Sequence, residues 1–182
     1  MQVAKNKLIS RGYEPWITIS IPRFAINSNN FKEAWGTKDI LIERLETRGW
    51  NVHSKEFFLK ESYRINPCHE PKKIQLVWTT AEMLKVVGKN YGVLYDAAAG
   101  MGLGPVPREA AFFLPEANPL YTIDQTYGIR FAIEPATDPY DKNGEPHVFG
   151  VRVSEEYTIL EPRVFSLFRN RASAEAMWVF AI

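Results

Sequence analysis

The chain has 182 residues, 46% of them hydrophobic and 24% charged, with a formal net charge of +1 and one cysteine. A chain of this length buries roughly 70% of the surface it exposes unfolded, so one domain needs no disulfide or structural metal. The near-neutral charge excludes the broad basic footprint of a general nucleic-acid binder. The lone Cys68 excludes an internal disulfide and favours a reducing compartment.

No signal-peptide run follows Lys5 and Lys7, and no stretch approaches the ~18 apolar residues of a membrane span. The expectation is a soluble, cytoplasmic single domain over residues 1–182, with a possible lobe boundary in the loop 66–73. Aromatic residues at 13%, with 12 prolines, lean toward sheet joined by irregular connections.

Trp16 to Ile21, WITISI, is β-branched and aromatic and predicts a strand, which Pro22 ends or confines to an edge. Ser28 to Thr37 predicts a loop. Thr37 then caps a helix from Lys38 to Arg48, with Ile40, Leu41 and Leu45 as its apolar stripe and Gly49 as its stop. EFFLKESYRI predicts a strand, and RINPCHEPKK a surface loop. Lys73 to Thr80 alternates around Ile74, Leu76 and Trp78 as a strand. Thr80 caps a short helix that ends at Gly88, and a second helix runs from about Tyr91 to Met101. Pro107 opens another helical turn, with Glu109 at its positive end.

From Tyr127 the pattern is β. Ile129, Phe131 and Ile133 alternate with Arg130, Ala132 and Glu134. Asn143-Gly144 marks a turn, HVFGVRV returns as a strand, and YTILEP and AEAMWVFAI supply two more. The fold class expected is α+β: a mostly antiparallel sheet with three or four short helices, mainly in the first two thirds.

Gly100, Gly102 and Gly104 raise the question of a phosphate loop. Such a loop needs strand, glycines and helix in that order; here the glycines follow a helix, and Pro105 and Pro107 follow them. A left-handed helix cap at Gly100 or Gly102 is the physical reading.

No catalytic or metal motif emerges. Cys68-His69 is one close pair, with His53 and His147 distant, where zinc wants two such pairs. Ser10, Ser20, Ser28, Ser154 and Ser166 lack the Gly-x-Ser-x-Gly elbow. Asp138, Asp141 and Glu145 are turn formers rather than a calcium loop. Arg130 and Glu134 share a strand face, and Arg152 can lie across from them as a polar patch. Most rings, such as Trp50, Trp78, Trp178, Phe57, Phe58, Phe112 and Phe113, fall in apolar runs and read as core. Tyr13, Trp16 and Trp35 lie in less regular sequence and are the candidate contact residues.

LVWTTAEML, GMGLGPVPREAAFFL, IRFAIEP and DKNGEPHVFGV follow one another in an order that resembles an uncharacterised family of small bacterial proteins. The resemblance spans about Leu76 to Val153. It departs from the family where Gly104, Pro105 and Val106 replace a Leu-Cys-Pro. It implies a bacterial or mobile-element origin and a shared fold, and no catalytic residues.

The first expectation is therefore a non-catalytic binding protein, a monomer or homodimer. It recognises another macromolecule, a protein, through Tyr13, Trp16, Trp35, Arg130 and Arg152, with no metal or cofactor. The second is a hydrolase-type enzyme using Glu109, Arg130, Glu134, Asp138 and His147, which predicts a pocket holding at least two of them. The third, not favoured, is a nucleic-acid-associated factor with Lys5, Lys7, Arg11, Lys72 and Lys73 on one face.

Overall fold

The structure, a computed structural model, describes residues 12–24, 31–59, 63–117, 129–133, 147–153, 158–164, 171–174 and 176–182. Its elements are β1 (Glu14–Ile21), α1 (Phe31–Thr47), β2 (Trp50–Val52), α2 (Lys55–Leu59), β3 (Lys72–Thr80) and α3 (Tyr91–Gly100). A 3-10 helix, η1 (Arg108–Ala117), follows, then β4 (Ile129–Phe131), β5 (His147–Val153), β6 (Thr158–Val164) and β7 (Met177–Ala181).

The seven strands form one sheet in the order β1-β3-β7-β4-β5-β6-β2. The class expected, helices with a sheet, is present, but the sheet is mixed rather than mostly antiparallel. β4 runs parallel to β7 and β2 parallel to β6, while the other four pairings are antiparallel. The cause is non-local. β7, the last strand in the chain, inserts between β3 and β4, and β2 pairs with β6 more than a hundred residues away in sequence. Strand patterns in a sequence carry no record of such neighbours.

Register and alternation sort the side chains onto two faces. Ile19, Ile74, Leu76, Val179, Phe131, Val151 and Leu160 share one face. Here Phe131 stacks on Phe149 at 4.6 Å between centroids, and η1 packs against β1. Val77, Trp178, Phe180 and Arg130 share the other face. α3 covers it: Tyr91 meets Trp178 edge-on at 4.8 Å and Tyr95 meets Phe180 at 5.6 Å.

The strands around β1, β3, β5, β6 and β7 lie where the alternation places them. β1 ends at Ile21 before Pro22 and stands at the end of the sheet. Three local readings need correction. α1 begins at Phe31, so the predicted loop over residues 31–37 is helix. Leu41, Ile42 and Leu45 are buried along one stripe of the helix, and their burial offsets the ~1 kcal/mol cost of Gly36 upstream. Within the stripe, Ile40 is 65% exposed, and Ile42 takes the buried position.

Residues 56–59 of the predicted EFFLKESYRI strand are helix, part of Lys55–Leu59. Phe57 and Phe58 are both buried against Tyr63, which a helical turn permits and a strand, sending neighbours to opposite faces, does not. Finally, the helix expected after Thr80 is only a series of turns. Thr80 Oγ1 does accept from the Met83 N–H at 3.2 Å, but Lys85 turns to φ +59° and the helix does not propagate.

The 64–73 stretch, expected as surface loop, is anchored, and its last two residues open β3. Tyr63, Ile65 and Cys68 are buried, and the Cys68 backbone exchanges two hydrogen bonds with Phe24. The Asn143-Gly144 turn lies outside the described residues.

The glycine question resolves as a cap. Asn90 opens α3 by accepting from the Val93 N–H at 3.0 Å, and Gly102, not Gly100, takes the left-handed φ of +80°. The Leu103 N–H then closes onto the Ala98 carbonyl at 3.1 Å. The third glycine has another use: Gly104 exchanges two backbone hydrogen bonds with Ala181 of β7. Replacing Gly102 by Ala is expected to destabilise the fold by about 1 kcal/mol. Gly100→Ala, with open space around it and a helical backbone, is expected to be neutral or stabilising. Urea denaturation of the two variants checks this; equal losses would contradict the assignment of the cap to Gly102.

Candidate functional site

The segment after Gly104 brings charged side chains to one place. Gly104 is tied to β7, and the Val106 N–H donates to the Ala132 carbonyl at 2.8 Å. Pro105 and Pro107 stiffen the chain between these anchors and η1. Pro107 accepts from the Ala110 N–H at 2.9 Å, which sets the first turn of η1 and places Glu109 in it. Residues 109–114 are all buried, so the carboxylate of Glu109 is carried inward with Phe112 and Phe113.

A carboxylate removed from water needs a cation or donors. β3 supplies one. Lys72 lies on the same face of the strand as Ile74 and Leu76, and its ammonium donates to Glu109 Oε1 at 2.8 Å. The Lys72 side chain remains 40% exposed, whereas that of Glu109 is 2% exposed. Glu109 Oε2 is buried and accepts no hydrogen bond among the described residues. An unsatisfied buried acceptor costs about 1–3 kcal/mol, a burden that asks for a reason.

The pair lies in the wall of a cleft of about 400 Å³. Its polar lining is Arg64, Asn66, Lys72, Arg108 and Glu109, and Pro105, Val106 and Pro107 form the rest. Three cationic residues and one carboxylate are among the described residues that line it. Behind the lining, the buried Tyr63 packs beside Arg108. The Tyr63 hydroxyl donates to the Arg108 carbonyl at 3.1 Å, and the Arg108 guanidinium lies 5.9 Å from the Tyr63 ring centre. Burial pushes the Tyr63 phenol far above its ordinary value; nearby Arg108 opposes that rise and Glu109 adds to it. The volume is within the range of small-molecule pockets, about 300–1,000 Å³.

The residues singled out in the sequence are placed as follows. Glu109 is in the cleft, and Arg130 does not line it. Arg130 lies on the α3-covered face, with its guanidinium 5.8 Å from the Tyr91 ring centre and 5.6 Å from that of Trp178, and it donates to Tyr91 Oη. Arg152 shares that face, separated from Arg130 by Gly150 in the register, and its Nε is 3.6 Å from Glu161. Glu161 thus supplies an acid among these arginines that the sequence reading did not assign. Glu134, Asp138, Asp141 and Glu145 lie outside the described residues, and of His147 only the backbone, opening β5, is described.

Tyr13 and Trp16 are half-buried against the core, with Trp16 at 5.9 Å from Phe131. The Trp35 side chain lies outside the described set. Lys72 and Lys73 point to opposite faces of β3, and Lys5, Lys7 and Arg11 are outside the described residues. Cys68 is buried, and its thiol donates to the Glu70 carbonyl, while His69 and His53 are exposed. Among the described residues no group of three His, Cys, Asp or Glu could hold a metal, and no helix is long and apolar enough to cross a membrane.

Arg64, Asn66 and Arg108 were not singled out in the sequence. The available signal was weak: a Pro-Arg-Glu run at a helix start, and charges beside the prolines of a loop that has to be anchored to reach the same place. No family model, curated protein or solved structure matches the chain. The resemblance over Leu76 to Val153 accordingly brings no residue role to the cleft.

Two outcomes follow from this geometry. Lys72→Met leaves the Glu109 carboxylate buried without its cation and is expected to cost about 2 kcal/mol, less than a fully buried pair because Lys72 is partly solvated. Adding Glu109→Gln is expected to recover at least half of that loss in urea denaturation, and additive losses would contradict the pairing.

The Tyr63 and Tyr95 phenols are both raised by burial, so both stay neutral in the fold after they ionise in the unfolded chain near pH 10. Their contribution is fully present below pH 10 and is lost as the pH rises beyond it. Stability is therefore expected to fall above pH 10, and to fall less steeply in Tyr63→Phe.

Proposed function

We propose that the protein is a binding protein, and that the cleft between the start of β3 and the first turn of η1 recognises an anionic group of its ligand. The observation that supports this reading is the concentration of Arg64, Lys72 and Arg108 around one buried carboxylate in a cleft wide enough for a ligand. A solvated surface spreads its charges; here they converge on a site whose walls are fixed by prolines and by backbone bonds to the sheet.

Positive side chains at the cleft draw an anion and orient it, Arg64 by its planar fork and Lys72 as a point charge. The Lys72–Glu109 bond holds the ammonium in position before the ligand arrives, which lowers the entropic cost of binding. A recognition role also fits the cleft chemistry. Among its described lining residues are cations, an amide and one carboxylate already held by a lysine, and no histidine, serine or cysteine that would act as nucleophile or base.

Titration of the labelled protein with a hexaglutamate peptide at low salt tests this. Amide shifts are expected to concentrate in residues 64–72 and 105–109, and Arg64→Glu is expected to weaken binding at least tenfold. Shifts spread over the surface, or an affinity unchanged by Arg64→Glu, would contradict it.

A further inference from the structure

We infer that Met101 is a site of reversible oxidation by peroxide, and that its sulfoxide releases Gly12, at the entry to β1, from the C-terminal end of α3. The inference is independent of the cleft and of its proposed ligand.

Met101 closes α3. Its N–H donates to the Ala98 carbonyl at 2.9 Å, and the left-handed Gly102 follows it. Its side chain is 41% exposed, whereas Met83 and Met177, the other methionines among the described residues, are half-buried. An oxidant in water therefore meets the Met101 thioether first.

The thioether also has a seat. Gly12 is buried, and its φ of +76° is one that glycine adopts freely. A β-carbon at residue 12 would stand 2.8 Å from Met101 Sδ and 2.7 Å from its Cε. The sulfur end of Met101 thus fills the space that glycine leaves open, and an unbranched, adaptable side chain is suited to reach it. Gly12 has a second attachment. The fully buried Thr79 of β3 donates its hydroxyl to the Gly12 carbonyl at 2.5 Å. Gly12 therefore joins the end of α3 to the end of β3, two residues before β1 begins.

Access to water and packing on buried backbone meet in one sulfur, so oxidation there changes a contact. A lone pair on Sδ attacks one oxygen of hydrogen peroxide. The S–O bond forms as the O–O bond breaks, and the departing hydroxide takes up the proton of the transferred oxygen and becomes water. The sulfur loses two electrons and the peroxide gains them. The sulfoxide is polar and chiral where the thioether was apolar, and it draws water to the seat on Gly12. The β1–β3 ladder starts beyond Gly12, at Glu14, so the change stays local.

A brief pulse of hydrogen peroxide on the full chain, followed by peptide mass mapping, tests the first half. Met101 is expected to carry at least fivefold more sulfoxide than Met83 or Met177, a difference that urea removes. Equal oxidation of the three in the folded chain, or a preference that persists in urea, overturns the assignment. Amide spectra of the labelled protein test the second half. Oxidation is expected to shift the signals of Gly12, Thr79 and Gly102 while those of β5 and β6 stay in place, which general unfolding does not produce. Met101→Leu is expected to remove these shifts, and Met101→Gln to reproduce them without oxidant. Methionine sulfoxide reductases specific for the two epimers, added together, are expected to restore the original spectrum. Met101 sulfoxide with unchanged Gly12 and Thr79 signals overturns the release, and a sulfoxide that both reductases leave in place overturns its reversibility.

Discussion

A carboxylate inside a protein has to be paid for by the groups around it, and the position of Glu109 makes that demand on the whole molecule. Its burial follows from η1, whose residues 109–114 are all buried against the sheet. η1 carries Arg108, but the cation hydrogen-bonded to Glu109 lies outside it. It comes from β3, and only because the register of that strand puts Lys72 on the η1 face and Lys73 on the other. A one-residue slip of β3 would leave the carboxylate alone and turn Ile74 and Leu76 out of the core.

The sheet is arranged to keep that register. β3 lies between β1 and β7, paired antiparallel to both, so its position is fixed from two sides. β7 in turn pairs with Gly104, the residue that starts the path to η1. The same C-terminal strand therefore sets the register of Lys72 and anchors the segment that carries Glu109. The two halves of the ion pair are thus both tied to one shared strand. The Lys72–Glu109 pair is held by regular elements on both sides.

Parts of this were readable from the residues alone. Alternation in WITISI, KIQLVWTT and HVFGVRV marks strands because side-chain period is local. The cap of α3 was equally legible, since glycine followed by proline after a helical run has one economical backbone solution. The start of α1 was missed because Gly36 and the polar residues before it resemble a loop, and only burial of the downstream stripe stabilises the helix through them. α2 was missed because two adjacent phenylalanines suit a strand by propensity, while the packing of both against Tyr63 suits a helix. The candidate site was half legible. Glu109 stood out at a helix start, but its burial and its partner depend on a strand thirty-seven residues earlier. Arg64 and Arg108 reach the cleft only through the tertiary fold, and no local pattern announces that.

The most direct measurement is nitrogen-detected NMR of the lysine ammonium groups, with a search for coupling across the hydrogen bond from Lys72 Nζ to the Glu109 carboxylate. The expected result is a Lys72 ammonium that exchanges slowly, moves less than the exposed Lys73 and Lys85, and shows coupling lost in Glu109→Gln. A Lys72 ammonium as mobile as Lys73 and Lys85, with no coupling, would contradict the pairing on which the cleft and its proposed function depend.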